Sequence, residues 1–147
     1  MQELRYAARV FEEDGFVVAD FPDVGGAGQA TQGDTWEEAR EMAQDLVDSY
    51  LTVCLRQDEE PMEPQAALPE GEGWEWLYPS AKVSMCWQIR RVRRSRGLTQ
   101  KQVATQLGIA QETYVRWENP DKMNARLETL EKLAKVFGGR LQVALVA

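Results

Sequence analysis

The chain has 147 residues, 44% of them hydrophobic and 28% charged, and a formal net charge of -7. It therefore falls in the soluble globular class, with room for one medium domain or two small ones. No apolar run approaches the ~18 residues of a membrane-spanning helix, the first residues lack the basic start and apolar core of a secretory signal, and a cytoplasmic location is expected. Histidine is absent, which excludes imidazole-based catalysis and metal ligation. The two cysteines, Cys54 and Cys86, are too few and too far apart for a zinc site or a redox pair, and their apolar neighbours predict plain core packing. No metal site and no cofactor is expected.

The overall charge conceals two opposite halves. Residues 1–78 carry 4 basic and 19 acidic side chains, whereas residues 79–147 carry 13 basic and 5 acidic ones. A strongly positive module can approach a polyanion; a strongly negative one is repelled by nucleic acid and suits a basic partner. The expected organisation is an N-terminal domain over 1–78 and a C-terminal domain over 79–147.

Leu4, Tyr6, Ala8 and Val10 alternate with more polar residues, Glu12 to Gly15 supplies a turn, and Phe16 to Phe21 is a second apolar run, so the opening reads as a hairpin. Asp23 to Gly28 is glycine-rich loop, and Gln29 to Gln32 is a short third strand before Gly33, which is read as turning the chain. Thr35 and Glu38 match a capping box, in which the glutamate would return to the Thr35 N–H. The stripe Trp36, Ala39, Ala43, Leu46, Val47, Tyr50 and Cys54 predicts a helix to about Leu55. Residues 57–73 are acidic and carry Pro61, Pro64 and Pro69, which reads as a linker or wandering loop. Trp74 to Tyr78 is placed as an edge strand of the first sheet, because three strands and one helix bury little.

Pro79-Ser80 opens a helix that runs through Val83, Trp87, Ile89 and Val92 to a cap at Gly97. Thr99 caps a second helix to Leu107, Gly108-Ile109 is a tight turn, and a third helix spans about Ala110 to Glu118 before Asn119-Pro120. Leu127, Leu130, Leu133, Ala134 and Phe137 form the apolar face of a fourth, ended by Gly138-Gly139. Leu141 to Val146 alternates weakly and is read as a final strand, either pairing protomers or packing on its own domain.

Two short helices joined by a glycine turn, behind a basic helix carrying Arg90, Arg91, Arg93, Arg94 and Arg96, are the parts of a helix-turn-helix. Arg93, Gly97-Leu98-Thr99-Gln100, Val103-Ala104, Leu107-Gly108-Ile109 and Trp117-Glu118 together resemble the phage-repressor-like (Cro/repressor, XRE) domains over roughly residues 80–137. That resemblance implies a structural ion pair between Arg93 and Glu118, a phosphate contact near Gln100, base-edge contacts by Gln111, Glu112 and Arg116, and core positions for Tyr114 and Trp117. The chemistry agrees, because Gln and Arg can bond bidentately to adenine and guanine in the major groove, whereas Glu112 can only accept from cytosine. The candidate DNA-contacting residues are Arg94, Gln100, Lys101, Gln111, Glu112, Thr113 and Arg116. Ala110 stands where the family usually has Ser or Thr, which removes a side-chain cap.

In the first half, Phe21-Pro22-Asp23-Val24, Gly26, Gln29, Thr31-Gln32-Gly33-Asp34-Thr35, Glu37-Glu38-Ala39, Tyr50-Leu51, Pro61 and Pro64 resemble the HicB antitoxin domain. The usual Gly-Cys after the Pro-Asp turn is Gly26-Ala27 here. The resemblance implies an α+β class: an N-terminal β-β-β-α-β partial ribonuclease-H-like domain, then an all-α helix-turn-helix domain with a C-terminal strand. It also implies a partner, a small basic HicA-like mRNA interferase with a catalytic histidine. Asp14, Asp20, Asp23 and Asp34 are the carboxylates a metal-dependent nuclease would need, but aspartates near turns are usually turn formers, and no enzymatic activity is expected. The resulting expectation is an antitoxin that neutralises such a ribonuclease and, as a homodimer, represses its own operon. The alternative is a repressor whose N-terminal domain senses a small ligand.

Overall fold

The first two strands, β1 (Tyr6–Glu13) and β2 (Phe16–Phe21), pair antiparallel with Glu13 opposite Phe16, so the connecting turn is only Asp14-Gly15. Both turn residues have positive φ, 52° and 83°, the geometry whose twist matches that of a hairpin and that Asp-Gly favours. The tight turn lets β1 continue past Val10, through residues the sequence assigns to the turn. The computed structural model describes residues 3–25 and 28–147; Gly26-Ala27, where the loop departs from the HicB pattern, lies outside them. β3 (Gln29–Gly33) adds to β2, α1 (Trp36–Gln57) crosses back, and β4 (Trp74–Leu77) pairs antiparallel with β1. The sheet order is β3-β2-β1-β4.

The alternation expected of a half-buried sheet is present: Tyr6, Ala8, Val10, Val17, Ala19, Phe21 and Leu77 are buried. So are Ala39, Ala43, Val47, Leu51, Cys54 and Leu55 of α1, which packs across β2, β3 and β4. Gly33 is not a turn residue. It is the last residue of β3, opposite Val17, and a Cβ there would lie 2.6 Å from the Ala39 nitrogen. The glycine is thus required by close approach of the sheet to the first turn of α1. Thr35 Oγ1 accepts the Glu38 N–H at 3.1 Å, but the Glu38 carboxylate accepts from the Asp34 N–H at 3.3 Å rather than from Thr35.

Residues 57–73 are not a free linker. The Met62 N–H donates to Tyr50 Oη at 2.8 Å, and Tyr6 Oη donates to the Met62 carbonyl at 2.9 Å. The two rings meet edge to face at 6.0 Å. Pro61 and Pro64 are buried, Gln65 donates to the Asp23 carboxylate, and the Gly73 carbonyl accepts the Val10 N–H as the chain enters β4. The backbone of Met62 is thus held by two tyrosine side chains and that of Gly73 by β1, which is how a stretch without periodic apolar residues becomes ordered.

The C-terminal half contains α2 (Ala81–Ser95), α3 (Gln100–Leu107), α4 (Gln111–Val115), a 3-10 turn at Arg116–Glu118 and α5 (Leu127–Val136). The chain divides into two compact units at Ser84/Met85, inside α2, whereas the sequence reading places its boundary at 78/79. Ile89, Val103, Ala104, Tyr114, Trp117, Leu130, Leu133 and Phe137 form the core of the second unit. The final strand does not form: residues 140–147 carry no regular structure. The second unit is otherwise helical, so an extended segment finds no neighbouring strand to satisfy its backbone groups. Among the described residues, no helix is long and apolar enough to cross a membrane.

Candidate nucleic-acid interface

The first helix of the turn motif has a local reason to begin and end where it does. Thr99 Oγ1 accepts the Gln102 N–H at 3.1 Å while Gln102 Oε1 accepts the Thr99 N–H at 2.8 Å, a complete capping box at the start of α3. Gln102 is not among the caps expected from the sequence, although its three-residue spacing from Thr99 is the signal. Gly108 ends α3 with φ 71°, and its N–H and that of Ile109 close onto the last carbonyls. That left-handed residue redirects the chain into α4. Ala110 occupies the N-cap of α4 with no side-chain hydrogen bond.

The reading segment is held from behind by a buried polar network. Arg93 donates through Nε and Nη2 to the Glu118 carboxylate at 2.7 and 2.9 Å, and through Nη1 to the Leu98 carbonyl at 2.8 Å. Tyr114 Oη donates to the same carboxylate at 2.6 Å. Arg93, Tyr114 and Glu118 are all buried. The last turn of α2 and the α4/3-10 segment are therefore fastened at one carboxylate, and the Arg93 guanidinium ties the α2–α3 turn to them. Burial, reinforced by the adjacent Glu118 charge, pushes the Tyr114 hydroxyl far above its usual range. The Glu118 hydrogen bonds raise the Arg93 pKa despite desolvation. Tyr114 and Trp117 pack edge to face at 5.6 Å beneath the segment.

With the inner side committed to the core, the outer side is free for contacts. Gln111, Glu112, Thr113, Val115 and Arg116 are exposed, as are Arg94 at the end of α2 and Lys101 in the first turn of α3; Gln100 is half-buried. Gln111 to Val115 form one short helix, and Arg116 follows it in the 3-10 turn. Two donors of guanidinium or amide type, one acceptor and the apolar Val115 thus share one surface segment, a set able to address adenine, guanine, cytosine and the thymine methyl in a major groove.

The four aspartates considered as metal ligands have other placements. Asp14 is in the hairpin turn, Asp20 lies on β2 opposite Arg9, Asp23 accepts from Gln65, and the Asp34 N–H donates to Glu38. Among the described residues, no group of three or more His, Cys, Asp or Glu is placed to hold a metal ion. Cys54 and Cys86 are buried and take part in no disulfide, and burial raises the Cys54 pKa.

Residues 89–143 match the sequence model of the helix-turn-helix family. The C-terminal unit is a helix-turn-helix domain, the class that presents its second helix to the DNA major groove. Over 51 residues the chain is 41% identical to the cryptic phage CTXphi transcriptional repressor RstR of Vibrio cholerae. That stretch covers 35% of this chain and 45% of the relative, so the similarity spans less than half of that repressor.

Proposed function

We propose that the chain is an operator-binding transcriptional repressor whose acidic N-terminal unit is a HicB-like antitoxin domain. The observation that carries the first half of this reading is the exposed row Gln111, Glu112, Thr113 and Arg116, held from behind by the Arg93–Glu118–Tyr114 network within a helix-turn-helix domain. The similarity to a phage repressor supports the same reading. From Met85 onward the chain carries twelve basic and five acidic side chains, which favours approach to phosphates. In its proposed role Arg94, Gln100 and Lys101 contact phosphates, while Gln111, Glu112, Thr113 and Arg116 read base edges, in a homodimer that spans two half-sites.

The partner assigned to the N-terminal unit is a small basic HicA-like mRNA interferase. Support comes from the 19 acidic against 4 basic side chains of residues 1–78 and from the β-β-β-α-β order of HicB-type, partial ribonuclease-H-like domains. An RNA-cutting surface must be basic, and an acidic cover competes with RNA for it. The unit is assigned no catalytic residue and no cofactor.

Selection of duplexes from a random library with the full chain, followed by salt titration of the selected sequence, tests the repressor. Preference for one sequence with a steep salt dependence is expected; equal affinity for selected and random duplexes would refute it. Co-expression with the product of an adjacent gene tests the partner. Co-purification of a basic, histidine-containing ribonuclease that is inactive while bound is expected, and an active, unbound ribonuclease would remove the antitoxin role.

A further inference from the structure

β4 is an edge of the sheet, with β1 on one side and, among the described residues, no strand on the other. The bond from the Val10 N–H to the Gly73 carbonyl continues the β1–β4 register, so Gly73, Glu75 and Leu77 turn their backbone polar groups towards β1. The alternate residues, Trp74 and Trp76, turn theirs to the open edge, where such groups are a template for a further strand. The two sides of that edge differ in charge. α1 runs alongside β4, with Arg40 paired to Glu75 and Gln44 Nε2 donating to the Tyr78 carbonyl. Between them lies an open groove of about 490 Å³ lined by Glu37, Arg40, Glu41, Gln44 and Glu75. Glu75 uses both carboxylate oxygens on Arg40, so the negative charge of the groove rests on the exposed Glu37 and Glu41. On the face of the sheet away from α1 the sign is opposite: the Arg5 guanidinium stands 4.0 Å over the Trp76 ring, and Arg9 lies opposite Trp74.

We propose that the free edge of β4 binds an extended segment of the basic partner as a fifth strand, with lysine or arginine side chains over Glu37 and Glu41 and apolar ones against Trp74 and Trp76. Successive residues of a strand point to opposite faces, so a segment that alternates basic and apolar residues meets both surfaces at once, while the backbone bonds to Trp74 and Trp76 hold it in register. Charge selects this occupant. Two β4 edges paired antiparallel would bring the Glu37 and Glu41 carboxylates of both copies together, and like charges side by side on a sheet are destabilising. Nucleic acid is repelled by the same carboxylates. Basic side chains on the tryptophan face would meet Arg5 and Arg9, which is why the apolar set belongs there. The proposal deepens the antitoxin reading and rests on it for the identity of the partner, not for the edge itself.

The test uses the full chain and a short capped peptide of alternating lysine and valine, followed by fluorescence anisotropy. Binding at micromolar peptide is expected, with hydrogen exchange at the Trp74 and Trp76 amides slowed by the bound strand. The double variant Glu37→Gln/Glu41→Gln should weaken binding at least about tenfold in dissociation constant. Both glutamates are exposed, so an unchanged circular dichroism spectrum is expected for this variant. The charge-matched double Glu12→Gln/Glu13→Gln, at the exposed end of β1, should change binding by less than about twofold, because salt screens carboxylates away from the groove. No binding of the alternating peptide, an equal loss in the two doubles, or Trp74 and Trp76 amides that exchange as fast with the peptide as without it would overturn the proposal. So would a co-purified ribonuclease that the Glu37→Gln/Glu41→Gln chain holds as tightly as the parent does. A peptide that binds as expected to a chain that captures no ribonuclease would instead sink the antitoxin reading and leave the docking edge standing.

Discussion

Arg93 and Glu118, 25 residues apart in the chain, meet through two parallel N–H···O bonds of 2.7 and 2.9 Å with both side chains almost wholly buried. Removing one partner strands the other charge in the interior. Arg93→Ala should therefore lower the unfolding free energy of the second unit by about 3–5 kcal/mol, whereas replacing both residues by apolar ones of similar volume should cost far less. Denaturant titration of the singles and the double gives the coupling directly. The exposed Arg40–Glu75 pair, also at 2.7 Å, is the contrast: Arg40→Ala should change stability by at most about 1 kcal/mol.

Tyr114 links stability to alkaline pH. Its folded pKa is raised above the ordinary value of 10.0 by burial and by Glu118, so the folded state holds a proton that the unfolded chain releases. Its contribution is fully present below about pH 10 and is lost as pH rises above that value. Tyr114→Phe should be less stable near neutrality, by about 1.5–3 kcal/mol for a bond to a charged acceptor. It should also show a flatter decline between pH 10 and 12. Thermal melts across that range check the slope.

Ala110 has extended backbone angles, φ -68° and ψ 146°, at the start of α4 and no capping side chain. Ala110→Ser should supply the missing acceptor and raise stability by about 0.5–2 kcal/mol. Stability lower than that of the parent would show that the α4 entry does not tolerate the hydroxyl.

Arg116 is exposed beside Gln111 and Glu112. Arg116→Ala should lose about 1–3 kcal/mol of discrimination between selected and random duplexes while retaining most non-specific affinity. Lys101→Ala should weaken both about equally and reduce the salt slope by about one. Anisotropy titrations at several salt concentrations separate the two patterns.

Gly33→Ala should destabilise the first unit by about 1–3 kcal/mol or more, because the added Cβ meets helix backbone at 2.6 Å, which no rotamer change relieves. Chemical denaturation of this variant against Gly15→Ala, whose Cβ meets nothing within 4 Å and whose cost comes from its positive φ, distinguishes crowding from backbone strain.

What was legible in advance was local. The alternation of Tyr6, Ala8 and Val10, the three-residue spacing of Thr35 and Glu38, the Gly108 turn and the opposite charges of the two halves are carried by neighbouring residues or by composition, and periodicity and capping act over a few residues. The turn motif was readable for the same reason, because its glycine, caps and apolar positions lie in one short frame. What escaped depends on partners distant in the chain. Residues 57–73 look unpackable by composition, yet Tyr6 and Tyr50, 56 and 12 residues from Met62, hold that backbone from either side. Gly33 looks like a turn residue until the sheet is laid against Ala39. Leu141 to Val146 has the pattern of a strand and forms none within its own unit, since a strand, unlike a helix, cannot satisfy its backbone groups within its own segment and exists only where the fold brings it a neighbour.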